Sequence, residues 1–290
     1  MVFFFASARA QDFHQMIGDY PFDTTVELDA LTSDKIKQNK LSISHQVPVL
    51  GTSKIGFSAR ALELKNDIRA VPDFYNIQFG GSYRRRLDHQ RSLGLSVSYG
   101  SSSNDPFQAG RDNTILVNGI YKLDEKWVLL GNYSNNRTFL NNVPLPGFLY
   151  VQKQSREESV ILGFPFISVL KPFTDGIFSL KYIGILPYNH KLRVLFNQLT
   201  WFKPYVGLEQ DLMVFFETER ESRNQRTFWL ERKAVVGIEK SFGPFLKLDF
   251  QLGNSFDREY FSARSYSRKH TEVKKIHDGV FVSIGLKSSF

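Results

Sequence analysis

Apolar and polar positions alternate with period two over most of the chain, the pattern of strands that present one face to each of two environments. In the last segment Val280, Val282, Ile284, Leu286 and Phe290 fall on one face. Ser283, Gly285, Lys287 and Ser289 fall on the other, together with Phe281. The segment before it repeats the design, with Leu246, Leu248, Phe250 and Leu252 set against Lys247, Asp249, Gln251 and Gly253. Leu93 to Gly100 and Tyr75 to Tyr83 alternate in the same way.

In each of these segments the large apolar residues share one face and small, polar or charged residues share the other. A soluble sandwich hides its apolar face, whereas a barrel in lipid turns that face outward and keeps a wet interior. Further strands are expected at Phe57–Leu64, Ile115–Leu123, Trp127–Tyr133, Val160–Val169, Phe178–Ile185, Leu192–Trp201, Val206–Phe216 and Phe228–Ile238. With weaker segments near Thr25–Leu28 and Leu41–Val47, the total is about 14 at roughly 10 residues per tilted span. If the first hairpin stays outside the membrane, the number falls to about 12 and Gln11–Gln46 becomes a periplasmic segment or plug. The expected fold is therefore all-β, a single antiparallel transmembrane barrel.

The connections alternate between short and long. Short turns are expected near Gly51, Asp88, Asp124-Glu125, Pro172–Gly176, Lys203-Pro204 and Gly243. Long loops are expected at Asn66–Asp73, Ser101–Asp112, Asn135–Glu158, Thr218–Arg226 and Asp257–Asp278, with a short exception at Pro187–His190. Short periplasmic turns opposite long outer loops are the outer-membrane pattern. Counting back from a periplasmic C-terminus places every long loop outside.

Composition adds constraints. No apolar run approaches the roughly 20 residues of a membrane helix, which excludes a helical membrane protein. Phenylalanine (27) and tyrosine (12) dominate the aromatics, and cysteine is absent, so disulfides, thiol nucleophiles and cysteine-ligated metals are not available. The opening Met1 to Ala10, ending Ala8-Arg9-Ala10, reads as the remnant of a signal peptide, with residues 11–24 as a periplasmic segment and 25–290 as the barrel. The net charge of +8 fits acidic partners such as lipopolysaccharide phosphates or anionic solutes, and no nucleic-acid-binding motif accompanies it.

The terminal strand resembles the assembly signal of outer-membrane barrels: a final aromatic, Phe290, with Leu286, Ile284 and Val282 upstream on the same face, and Ser288 where a larger apolar residue is commoner. The stretch from Phe164-Pro165-Phe166 through Lys181-Tyr182-Ile183-Gly184-Ile185-Leu186-Pro187 to Phe290 resembles a family of uncharacterised bacterial outer-membrane barrels. That resemblance implies fold, location and insertion by the barrel-assembly machinery. It carries over no catalytic residue.

Nine charged residues are expected on the lumen face: Lys181, Arg193, Glu209, Asp211, Glu231, Lys233, Lys247, Asp249 and Lys287. They either line a pore and set its charge preference, or pair across strands and fill it. Asp257–Asp278, with six Lys and Arg interleaved with Tyr260, Phe261 and Tyr266, reads as a solvated loop or a site for anionic ligands. Asn141–Tyr150 is apolar enough to constrict the mouth or meet a partner, and its two prolines argue against a central strand. A hydrolase would need His277 and Asp278, with Glu217 or Glu219, together at the rim; Ser267 and His270 lie nearby in the sequence. No cofactor signature is present, and His14, His45, His89 and His190 lack metal-ligand spacing. The expectation is a passive channel or small-solute transporter surrounded by outer-membrane lipids and lipopolysaccharide. The alternatives are a closed barrel acting through its loops and, third, a hydrolase.

Overall fold

The computed structural model describes residues 24–289 apart from 50, 69–70, 137–139, 141, 154–157, 187, 200, 244, 265–272 and 277. Seventeen strands form one sheet. The first seven are β1 (Thr24–Ser33), β2 (Ile36–Pro48), β3 (Ser53–Asn66), β4 (Phe74–Arg86), β5 (Ser92–Ser103), β6 (Asn113–Lys122) and β7 (Trp127–Ser134). There follow β8 (Leu145–Lys153), β9 (Ser159–Phe164), β10 (Phe166–Phe173), β11 (Phe178–Ile185) and β12 (Asn189–Phe196). The last are β13 (Lys203–Phe215), β14 (Arg226–Phe242), β15 (Leu246–Ala263), β16 (Lys274–Ile276) and β17 (Gly279–Ser289).

Each strand from β1 to β15 pairs antiparallel with the next, β15 also pairs with β17, and β17 pairs with β1 from Ser289↔Thr25 to Phe281↔Ser33. The ring closes. β16 pairs only with β15 among the described residues and stands outside the ring, which leaves a barrel of sixteen strands. No sheet edge faces lipid around this ring, the condition a spanning β-structure must meet.

Sixteen replaces the expected 14, and the alternative of 12 falls with it, because β1 and β2 are full wall strands. Two strands were hidden in the sequence. Val160–Val169 is not one strand but a hairpin, β9 turning into β10 across Pro165, with Leu162 facing Ile167. Within the expected long loop Asn135–Glu158 lies β8, despite its prolines. Pro146 pairs with Gly131 of β7, while β9 joins β8 only from Phe148 onward. Pro48, Pro172 and Pro204 likewise stand where only one neighbouring strand is paired, so a missing N–H is tolerated. Adding two strands preserves the parity, and the long connections still share one end of the barrel. At the other end Gly51, Gly176 and Gly243 take positive φ of 56°, 83° and 62° in tight turns.

The exterior is an apolar band. Phe57, Phe79, Leu95, Phe148, Val206, Leu208, Val236, Val280 and Ile284 are all exposed, on strands all round the ring. At the end carrying the short turns, Trp127, Phe173, Trp201, Phe202, Phe242 and Phe245 form an exposed aromatic girdle. Lys240 rises beside it with its ammonium 4.7 Å from the Phe242 ring centroid.

Candidate functional site

The interior is not the uniformly polar lumen expected from the sequence. Its wall divides into four zones. On β7 to β11, Val128, Leu149, Val151, Ile161, Phe166 and Ile183 pack together inside the barrel. These side chains fill the lumen beside them instead of lining water, because both faces of the β9–β10 hairpin are apolar.

On β11 to β15 the charged residues meet in a connected network. Arg193 of β12 is 1% exposed and reaches over β13 to β14 and β15. Its guanidinium donates to Glu209 at 3.0 Å, Glu239 at 2.7 Å and Asp249 at 2.9 Å. Glu239 and Asp249 face each other directly across β14 and β15, a repulsive pair that Arg193 bridges. Gly207 makes the reach possible: a Cβ there would stand 3.1 Å from Arg193 Cγ. The Tyr205 ring lies 4.1 Å beneath the guanidinium carbon, and its hydroxyl donates to Asp249 at 2.6 Å. Lys181 and Lys247 also reach Glu239, at 3.2 and 2.7 Å. A second group joins Lys233 to Asp211 and Glu231, with Arg258 on Glu231 at 2.9 Å. Lys287 is buried on β17 opposite Lys247. The nine residues singled out in the sequence thus occupy the interior. Three further members of the network, Glu239, Tyr205 and Arg258, were not among them.

The third zone is the mouth at the end carrying the long connections. β13, β14 and β15 have 13, 17 and 18 residues, well beyond the roughly 10 of a membrane span. Above Gln210, β13 has no β12 rung among the described pairings, and β5 docks on that edge from across the barrel. Phe216 N donates to Ser102 O at 2.7 Å, and Ser102 Oγ donates to Val214 O at 3.0 Å. Beneath this junction Phe74, Phe215, Trp229, Met213, Leu64 and Ile36 form an apolar plug. Above it, Arg220 is salt-bridged to the fully buried Asp112, Thr218 Oγ1 donates to Asp112 at 3.2 Å, and Arg226 donates to Asn135 O at 2.8 Å. The β13–β14 connection is therefore a lid, tied to the β5–β6 and β7–β8 connections.

The fourth zone, β2 to β6, is small and cationic. β5 presents Ser92, Gly94, Ser96, Ser98 and Gly100 inward, and the charged inner positions are Lys40, Lys54, Arg60, Arg84, Arg86 and Lys122. Between this wall and the network lies a cavity of about 150 Å³, lined in part by Lys40, Arg60, Asn76, Lys191, Glu209 and Asp211. At the short-turn end, Asp88 accepts backbone N–H bonds from Gln90 and Arg91, at 2.9 and 2.7 Å, and the Arg91 guanidinium at 2.6 Å. Those bonds hold its carboxyl at about 2. No local pattern marks the lysines and arginines of β3, β4 and β6 as a group, since register alone brings them together.

The remaining candidates are placed as follows. Asn141–Tyr150 is not a free loop: Leu145 onward is β8, with Leu149 buried inside and Phe148 exposed outside. Part of the basic segment Asp257–Asp278 is strand and not loop, since β15 runs to Ala263 and β16 occupies Lys274–Ile276, while 265–272 lies outside the described residues. Of the rim cluster, His277, Ser267 and His270 lie outside the described residues. Glu217 accepts hydroxyls from Thr227, Tyr260 and Ser262 at 2.7, 2.5 and 3.4 Å. Asp278 accepts Asp257 N, and Glu219 is exposed. Val282 and Ile284 face outward and Leu286 is half-buried, while Phe290 lies outside the described residues.

No family model matches the chain, and no curated protein matches it. Among solved structures it is similar to the KdgM porin, at 10% identity over 92% of this chain and 99% of that one, with a TM-score of 0.33. It is also similar to a bacterial polysaccharide outer membrane secretin, at 8% identity over 94% and 100%, TM-score 0.41. LpxR from Salmonella typhimurium is a third, at 9% identity over 92% and 100%, TM-score 0.34. The class follows from the chain's own architecture: a closed, even-stranded antiparallel ring with an apolar exterior and an aromatic girdle is a transmembrane β-barrel of the bacterial outer membrane.

Proposed function

We propose that this barrel is a small-solute channel held shut by its extracellular lid. The observation that carries the reading is the lid itself, which is tied across the mouth above an apolar plug, in a ring that encloses a charged cavity. A barrel needing only a filled interior for strength has no use for a separate set of ties between loops over 100 residues apart in the chain. Solutes would pass along the small-residue wall of β2 to β6, with the Arg193 network as the fixed opposite wall. The short turns then face the periplasm and the lid faces outward among lipopolysaccharide, and Phe290 with Leu286, Ile284 and Val282 is the segment the assembly machinery engages.

Single-channel recording in planar bilayers tests it. Refolded wild type should show rare, small openings, and Arg220→Ala, which cuts the Asp112 tie, should raise the open time. Silence from both proteins, each shown to be folded by heat-modifiable gel migration, would exclude a channel. The packed interior, with Arg193 joined to three carboxylates, supports the second reading, a closed barrel that binds partners through its loops.

A further inference from the structure

The cavity between the cationic wall and the Arg193 network is lined by charged, neutral polar and apolar side chains. The charges are already matched. All five carboxylates of the lining are in ion pairs: Glu27 and Asp29 with Lys40, both at 3.3 Å, Glu209 with Lys191 at 2.7 Å, Asp211 with Lys233 at 3.3 Å and Asp249 with Arg193 at 2.9 Å. Arg60, the remaining cation of the lining, lies in the field of Glu27 and Asp29. A charged solute would have to break one of these pairs to find its own partner.

Two neutral groups are not matched. Asn76 of β4 and Asn189 of β12 also line the cavity, from strands half the ring apart. Asn76 is 6% exposed and Asn189 3%. Asn76 Oδ1 and Asn189 Nδ2 have no hydrogen-bond partner among the described residues. The orientation of the Asn189 amide is fixed, because its Oδ1 accepts Leu212 N at 2.6 Å and its NH2 group therefore points away from that bond. A buried amide atom left unpaired costs stability, so packing alone gives no reason for an acceptor on one wall and a donor on the other.

We infer that this cavity binds a small uncharged polyhydroxylated solute of monosaccharide size, held between Asn76 and Asn189. A hydroxyl both donates and accepts, so one kind of group answers both amides. Leu31, Leu62, Ile183, Ile185 and Met213 supply apolar lining for the C–H faces of such a molecule. At about 150 Å³ the cavity has the size of those that take one six-membered ring. Its place on a route across the membrane rests on the channel reading; the binding itself does not.

The test titrates glucose, glucuronate and glucosamine, which share a ring and differ in charge, into the full refolded chain in a zwitterionic detergent without a sugar headgroup. Calorimetry and the shift in unfolding temperature that a ligand of the folded state produces are the readouts. The same titrations are run on Arg220→Ala, whose cut lid tie gives access from the mouth. Saturable glucose binding is expected in at least one of the two proteins, with glucuronate and glucosamine at least about tenfold weaker. In that background Asn76→Leu and Asn189→Asp should each weaken glucose about tenfold. Asn39→Leu, which changes an exposed amide on the outer face of β2, should leave it unchanged. Asn76→Leu removes an unpaired buried acceptor and should fold at least as well as the parent, while Asn189→Asp keeps the acceptor for Leu212 N and loses only the donor. No saturable glucose binding in either protein, equal or tighter binding of glucuronate or glucosamine, or undiminished glucose binding in both cavity variants would overturn the site. Binding without conductance would leave this site standing and remove the channel; conductance without binding would do the reverse.

Discussion

Phe74 of β4 and Phe215 of β13 stack across the mouth of the barrel, with ring centroids 4.6 Å apart and planes 19° from parallel. Eight strands lie between them along the chain, so the contact exists only because β13 leans over the lumen. Both rings are essentially fully buried. Phe215→Ala should cost about 3 kcal/mol, the range for removing a buried phenylalanine, and should also open the plug. Urea unfolding in detergent reads the first effect and bilayer conductance the second. A stability loss with no change in conductance would make the stack structural and no part of a gate.

The lid above that plug hangs on a buried charge. Asp112 is 0% exposed and its salt bridge to Arg220 crosses between two loops. Arg220→Ala leaves the carboxylate without its cation, a loss of roughly 3 kcal/mol when a buried pair is broken from one side. The double variant with Asp112→Asn should recover part of it, because a neutral amide keeps the hydrogen bond from Thr218. Protease cleavage within 216–225 should rise in the single variant and fall back in the double one. Equal cleavage in wild type and Arg220→Ala would show that this tie does not hold the lid.

What the sequence made legible was whatever repeats with period two and lies in a strand facing two different environments. The outer face is uniform, so strand positions and their parity could be read from Leu, Val and Phe spacing alone. The β9–β10 hairpin could not: Ile161 and Phe166 enter an apolar interior while Leu162 and Phe164 meet lipid, and a one-residue turn at Pro165 offers no polar break. At β15 a bulge opposite Glu231 shifts the register, so Arg258 and Tyr260 turn inward where simple alternation from Asp249 would send them out. The lid contacts, such as Ser102 with Val214, join residues over 100 apart and leave no local trace. Lys54 and Arg84 read as ordinary charges near strand ends until register sets them face to face.

Arg193 organises the opposite wall. Arg193→Met keeps much of the stem but strands Glu209, Glu239 and Asp249 in one buried group. A loss of about 3–5 kcal/mol is expected, the range for breaking a buried ion pair. Arg193→Lys should recover little of it, since one ammonium cannot hold the planar fork that serves three carboxylates. Adding Glu239→Gln to Arg193→Met should reduce the damage by removing one member of the repelling pair. Unfolding midpoints of the four proteins decide this. A neutral Arg193→Met would mean that Lys181 and Lys247 suffice for the acids.

Asp88 offers a pH test at the short-turn end of the barrel, outside the membrane band. Its carboxyl is held at about 2 by the Arg91 and Gln90 backbone N–H groups and the Arg91 guanidinium, against roughly 3.9 in an unfolded chain. Because the folded value is the lower one, the carboxylate's contribution is fully present above pH ~4 and disappears as pH falls through about 2. Asp88→Asn should therefore be less stable than wild type by a constant amount between pH 5 and 7. The two unfolding midpoints should then converge below pH ~4, with the wild type moving toward the variant. The Asn side chain can still accept from the turn's N–H groups, so the gap measures mainly the charge and its bond to Arg91. A gap that persists unchanged down to pH 2 would assign the effect to turn geometry and not to the ionised carboxylate.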